Sequence, residues 1–112
     1  MTDSFAFSDD ELMQNYPNPF NPTTKIKYQI VQGYPFGTKN KNQINNKNQN
    51  SIFVSLKVYD ILGREVATLV NKKQAPGAYE IIWNAEIQPS GVYFYSLNVG
   101  DFHSVKKMSL IK

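Results

Sequence analysis

His103 is the only histidine among the 112 residues, and there is no cysteine. Those two facts remove most of the nucleophile and metal chemistry open to a domain of this size. Without thiols there is no thiolate nucleophile, thiolate zinc site or disulfide. A lone imidazole assembles neither a catalytic triad nor a zinc site; placed just after a hairpin turn, His103 reads as an exposed strand residue. The carboxylates are Asp3, Asp9, Asp10, Glu11, Asp60, Glu65, Glu80, Glu86 and Asp101. Asp60 and Asp101 fall in turns, where a short carboxylate bonds nearby backbone. A glycosidase needs two carboxylates facing each other across a cleft, which spacing along strands does not establish. No Asp-x-Asp-x-Asp calcium loop occurs, and no glycine-rich phosphate loop precedes a helix. The expectation is a domain that is not an enzyme and uses no metal or cofactor.

Two further groups could act by contact. Trp83, Tyr93, Phe94 and Tyr95 could line a sugar-binding face, although a Trp on a sandwich strand is more often core. The stretch Lys106 to Lys112 is either a basic edge strand that discourages aggregation or a docking strand that binds by β-augmentation or charge. Net charge is +3 with a sequence pI of about 9.1. The lysines are divided between Lys39, Lys41 and Lys47 in a polar loop and Lys106, Lys107 and Lys112 at the end. That is not the concentrated stripe of a nucleic-acid binder, so no nucleic acid is expected. No apolar run approaches the roughly 18 residues that cross a bilayer, so no membrane insertion is expected. The first ten residues lack the basic and apolar regions of a signal peptide. If the domain is exported, the signal is expected on a longer parent chain, with Met1 not necessarily its native start.

The elements that must position these residues are almost all strands. Residues 1–14 read as a linker or lead-in, carrying Phe5, Phe7 and the acidic Asp9-Asp10-Glu11. Asn15 to Thr24 contains Pro17, Pro19 and Pro22, which fix φ, remove donors and extend the preceding residues. The reading is a rigid strap, with Tyr16 and Phe20 plugging into one end of a core and Asn18 and Asn21 closing local turns. Lys25 to Ile30 then alternates with period two, as a half-buried strand does. Residues 52–60 repeat the pattern, with Val54, Leu56 and Val58 on one face. Asp60-Ile61-Leu62-Gly63 reads as a tight turn. Glu65 to Asn71 returns with Val66, Thr68 and Val70 on one face, and 71–77 is a loop. Tyr79, Ile81 and Trp83 share a face of the next strand. Gln88-Pro89-Ser90-Gly91 is a turn signal, and residues 92–99 have strand composition. Gly100-Asp101 reads as a two-residue hairpin loop, and 102–111 closes the fold. Residues 32–51, with Gly33 and Tyr34-Pro35-Phe36-Gly37 ahead of an Asn-, Gln- and Lys-rich run, read as a polar loop insertion whose part 38–50 holds no core residue. Deleting residues 38–50 is therefore expected to leave folding intact. Short strands with regular turns and no helical period indicate one all-β domain over 15–112, an antiparallel sandwich rather than a small barrel.

Four landmarks occur in order: Asn15-Tyr16-Pro17-Asn18-Pro19-Phe20-Asn21-Pro22, Val58-Tyr59-Asp60-Ile61-Leu62-Gly63-Arg64-Glu65-Val66, Pro89-Ser90-Gly91-Val92-Tyr93-Phe94-Tyr95, and Lys106-Lys107-Met108. Together they resemble the type A C-terminal sorting domain of the type IX (Por) secretion system of the Bacteroidetes, related to the immunoglobulin-like domain of flagellar hook-capping proteins. The resemblance spans about residue 12 to residue 112. It implies an immunoglobulin-like antiparallel β-sandwich of about seven short strands, at the end of a larger cargo protein absent here. Cargo of this kind reaches the periplasm by a Sec signal, crosses the outer membrane through the type IX translocon, and ends at the cell surface or in the medium. A surface sortase commonly removes the domain, here by cleavage upstream of Tyr16. The candidate recognition residues carried by the motifs are Gly63, Arg64 and Glu65; Ser90, Gly91, Val92 and Tyr93; and Lys106, Lys107 and Lys112. The insertion at 32–51 departs from the short turn usual in the family. Two other roles fit a sandwich: a carbohydrate- or surface-binding module, favoured by exposure of Trp83 and Tyr95, and a structural module that assembles with its own copies.

Overall fold

The computed structural model describes residues 9–31 and 51–112. Most of the polar insertion, residues 32–50, lies outside the described residues, as does the start of the lead-in. The strands are β1 (Glu11–Leu12), β2 (Thr23–Ile30), β3 (Ile52–Tyr59), β4 (Glu65–Gln74), β5 (Gly77–Asn84), β6 (Gly91–Val99) and β7 (Phe102–Leu110). They form two antiparallel sheets, one ordered β1-β2-β5 and the other β4-β3-β6-β7. The domain is an all-β sandwich, as the alternating sequence requires.

Period two explains which side chains meet between the layers. Ile26, Tyr28 and Ile30 of β2 are buried together with Trp83 of β5. From the other sheet come Val54, Leu56 and Val58, then Tyr93, Tyr95, Leu97 and Val99, then Met108 and Leu110, all buried. Each fully buried aliphatic side chain here contributes on the order of 1.5–3 kcal/mol by leaving water. At one end of this core Phe20, Trp83 and Tyr93 form an aromatic cluster, with ring centroids 5.8 and 5.6 Å apart.

Several local expectations are revised. The packed domain begins before Asn15. Leu12 belongs to the core, and Glu11 and Leu12 pair with Gln29 and Tyr28. Tyr16 does not plug into the core; it is 80% exposed, while Phe20 alone fills that place at 2%. Tyr16 is held by backbone bonds beside exposed Lys25, whereas Phe20 packs against Trp83. β4 runs on to Gln74, so only Ala75 and Pro76 separate it from β5. Nor do Val66, Thr68 and Val70 share a face. Register shifts beside the pairs Leu56–Val70 and Val58–Ala67 insert extra residues into β4, and each bulge inverts the alternation. Thr68 is thereby exposed, while Val66, Ala67 and Leu69 all reach the core. The turn before β6 lies a little earlier than expected, with the Gln88 N–H bonded to the Ala85 carbonyl. The Gly100-Asp101 hairpin forms as expected between Val99 and Phe102, with Gly100 at φ 58° supplying the positive dihedral that such turns need at their first central position.

The strap closes one long side of the sandwich. Tyr16 exchanges backbone hydrogen bonds with Lys25 of β2, and Met13 N–H donates to the Lys27 carbonyl. On the other sheet, Phe20 N–H donates to the Ser109 carbonyl and Ile111 N–H to the Phe20 carbonyl. The Asn18 side chain, expected to close a local turn, accepts the Ser109 N–H instead. Gln14 donates to the Lys107 carbonyl. Between the layers, buried Asn15 donates from its side chain to Thr24 and to the Pro17 carbonyl. The Tyr95 hydroxyl accepts the Asn15 N–H and donates to the Met13 carbonyl. These bonds satisfy polar groups that would otherwise be buried without partners. Burial pushes the Tyr95 phenol up to about 12, with the Asn15 N–H acting in the opposite sense.

Candidate functional site

One end of the sandwich collects most of the residues singled out by motif. β3 is paired with β4 and β6, so its final residue, Tyr59, lies beside both Glu65 and Phe94. That register sets the β3–β4 turn next to the start of β6. An open groove of about 380 Å³ runs between them, lined by Arg64 and Glu65 on one wall and by Ser90, Gly91, Val92 and Tyr93 on the other.

The turn wall is rigid for a local reason. Asp60 Oδ1 accepts the N–H groups of Leu62 and Arg64, each at 2.9 Å, and Oδ2 meets Arg64 Nε at 2.8 Å. The Gly63 N–H donates to the Asp60 carbonyl, closing the turn. Gly63 sits at φ 87° with no atom near the place of a Cβ, so its role is the left-handed backbone and not close packing. The Arg64 N–H foremost holds the Asp60 carboxyl below its ordinary range; the guanidinium and the Leu62 N–H add to this, against opposing desolvation. Glu65 is likewise lowered, first by the Thr68 hydroxyl and then by Lys57 at 3.5 Å. The Arg64 side chain nonetheless stays 72% exposed, so its charge is displayed from a fixed base.

The opposite wall is fixed by Tyr93. Its ring is buried against Trp83, and its hydroxyl donates to the Pro89 carbonyl at 2.6 Å. Burial, followed by the nearby Asp60 charge, raises the phenol. Lys112 joins this end, since its N–H donates to Ser90 Oγ and its ammonium to the Glu86 carbonyl. Lys106 and Lys107 do not. They face Tyr95 and Phe94 along β7, away from the groove, with Lys106 half-buried and Lys107 exposed.

The sequence reading missed two things at this end. Asp60 was read only as a turn former, whereas it holds Arg64 in place. Ile61 and Leu62, which line the groove, are 63% and 73% exposed. Isoleucine and leucine at the tip of a turn, where polar residues are usual, were a signal available in the sequence.

Other candidate chemistry takes ordinary places. Trp83 and Tyr95 are 6% and 0% exposed, so they form core and present no flat stacking face. The His103 ring bonds to the exposed Asn98 side chain at 2.6 Å. Among the described residues no group of three or more histidines, cysteines or carboxylates is placed to hold a metal ion. Comparison with protein-family models, curated proteins and solved structures finds no match for this chain.

Proposed function

We propose that this domain is a C-terminal sorting signal. It is an immunoglobulin-like sandwich that directs a larger exported protein through the type IX secretion system to the cell surface or medium, where a surface sortase removes it. The observation that carries the reading is the groove, where Arg64 and Glu65 of the β3–β4 turn meet Ser90-Gly91-Val92-Tyr93. In the sequence these motifs are far apart. In the fold they form two walls of one feature, at the end of the sandwich opposite the point where the lead-in enters. A partner there would meet a folded surface and leave the cargo side clear.

Two details support the immunoglobulin-like part of the reading. Tyr93 follows the β5–β6 corner and bonds back to a carbonyl a few residues upstream, as the corner tyrosine of such sandwiches does. Trp83 packs in the core beside it. The carbohydrate-binding alternative rested on exposed Trp83 and Tyr95, and both are buried. Backbone pairing by a partner along Lys106–Lys112 would have to displace the strap, which already occupies the edge at Lys107, Ser109 and Ile111. Recognition at this end therefore runs through side chains.

The test is secretion of a reporter carrying a signal peptide at its N-terminus and residues 1–112 at its C-terminus. It is compared in a type IX-competent host and in a translocon mutant. The expected result is surface or medium localisation in the competent host only, lost in Arg64→Ala while the domain stays folded. A reporter that remains periplasmic in both hosts overturns the proposal.

A further inference from the structure

A sandwich of two open sheets has strand edges that invite pairing, and natural proteins blunt them. Three of the edges here are blunted. β2 is covered by residues 11–16 and the lower half of β7 by the strap. β4 carries two bulges and the pair Lys72-Lys73. β5 has none of these devices. It runs straight from Gly77 to Asn84 without proline, lysine or register shift, and among the described residues no strand pairs with its second edge.

The hydrogen-bond phase of that edge follows from β2. Lys25 and Lys27 point their backbone groups at the strap, so Thr24, Ile26, Tyr28 and Ile30 point theirs at β5. Their partners Trp83, Ile81, Tyr79 and Gly77 are thereby used. Alternation leaves the N–H and C=O groups of Ala78, Glu80, Ile82 and Asn84 facing outward. Ile82, in the middle of this set, is 66% exposed.

We infer that β5 pairs antiparallel with β5 of a second copy, joining two three-stranded sheets into one. The strand is complementary to itself in one full-length register, with Ile81 opposite the second copy's Ile81 on the twofold axis. Tyr79 then faces Trp83 on the inner side, Glu80 faces Ile82 on the outer side, and Ala78 faces Asn84. Every outward-facing backbone group in this set finds a partner, because the even-numbered residues meet even-numbered residues. The neighbouring register of similar length is rejected by charge, since it sets Glu80 directly opposite Glu80. In the favoured register the carboxylates are offset, and each remains within 3.5–3.6 Å of Lys25 and Lys27. The interface is isologous and closes at two copies.

The experiment is sedimentation equilibrium on the full 112-residue chain over a concentration series, with amide exchange on the same samples. The expected result is a monomer–dimer equilibrium, with exchange at Ala78, Glu80, Ile82 and Asn84 slowed about tenfold or more as the dimer fills. Ile82→Glu, which sets a carboxylate directly opposite the second copy's Glu80 while facing Lys25 within its own sheet, should abolish the dimer and keep the thermal midpoint of the monomer. Ile82→Pro, which removes only an outward-facing N–H, should do the same. Val105→Lys on β7 should leave it intact. The inference is overturned by a chain that stays monomeric to about 1 mM, where association is already weak. It is equally overturned by a dimer that survives Ile82→Glu, or by protection that appears on β4 or β7 instead.

Discussion

Along the β2–β7 side, residues 11–20 run between the layers and bond to both, with Asn15 and the Tyr95 hydroxyl buried beneath them. Along the β4–β5 side the chain crosses between the sheets at Ala75-Pro76, and among the described residues the strand edges have no such cover. The two sides solve the same problem differently. One satisfies its edge groups internally and so contributes to stability. The other leaves a backbone ladder facing outward, with little effect on stability and a large one on association. Changes made on the two sides should therefore separate folding from assembly.

The largest effect is expected from Phe20→Ala, which empties the end of the core beneath the strap. Phenylalanine truncation in a core costs about 3–5 kcal/mol, so urea titration should show a much lower midpoint. Next come Tyr95→Phe, which leaves the Asn15 N–H and the Met13 carbonyl without the phenol that joins them, and Asn15→Ala, which strips one bond each from the Thr24 hydroxyl and the Pro17 carbonyl. Unmet polar groups of this kind cost about 1–3 kcal/mol each, read as a fall in the thermal midpoint. If either change is neutral, the strap is ornament on a sandwich held by the sheets alone, and the contrast between the sides fails.

Acid acts at the groove end and should be smaller. The Asp60 carboxyl is held below its ordinary range in the folded chain. Its contribution is thus present above the unfolded value near about 4 and is lost as pH falls through the lower folded value. The thermal midpoint should drop in that acid window, less so in Asp60→Asn, and the amides of Leu62 and Arg64 should exchange faster there. Smallest of all is the stability effect of Ile82→Glu. An exposed change of this kind shifts unfolding by only about 0.5 kcal/mol or less, although the same substitution is expected to abolish the dimer.

How much of this was legible in the sequence varies by element. β2, β3 and β5 were readable because Ile26-Tyr28-Ile30, Val54-Leu56-Val58 and Tyr79-Ile81-Trp83 keep strict period two, and burial follows it. β4 was misread because a bulge adds a residue without any compositional mark, so Thr68 moved outward and Leu69 inward. The lead-in was misjudged because Glu11-Leu12 is too short a strand to show a period at all. The strap's prolines were legible as extended chain, but not which aromatic turned inward, since that depends on Trp83 and Tyr93. At the groove, both motifs stood out in sequence as separate landmarks. Their meeting did not, because it is a product of the β3–β6 pairing and has no local signal.

The direction of the strap carries one more consequence. It descends from the Gln29 end of β2 to Phe20, and β7 descends in the same sense to Leu110, where the two form a parallel bridge. Force applied between the lead-in and the last strand would slide strap and β7 past each other lengthwise. The bonds at Lys107, Ser109 and Ile111 would then share the load at once and not peel one by one. Under tension this side should behave as a shear clamp, slow to yield when pulled along its axis, and far weaker when the strap is lifted sideways from Asn15.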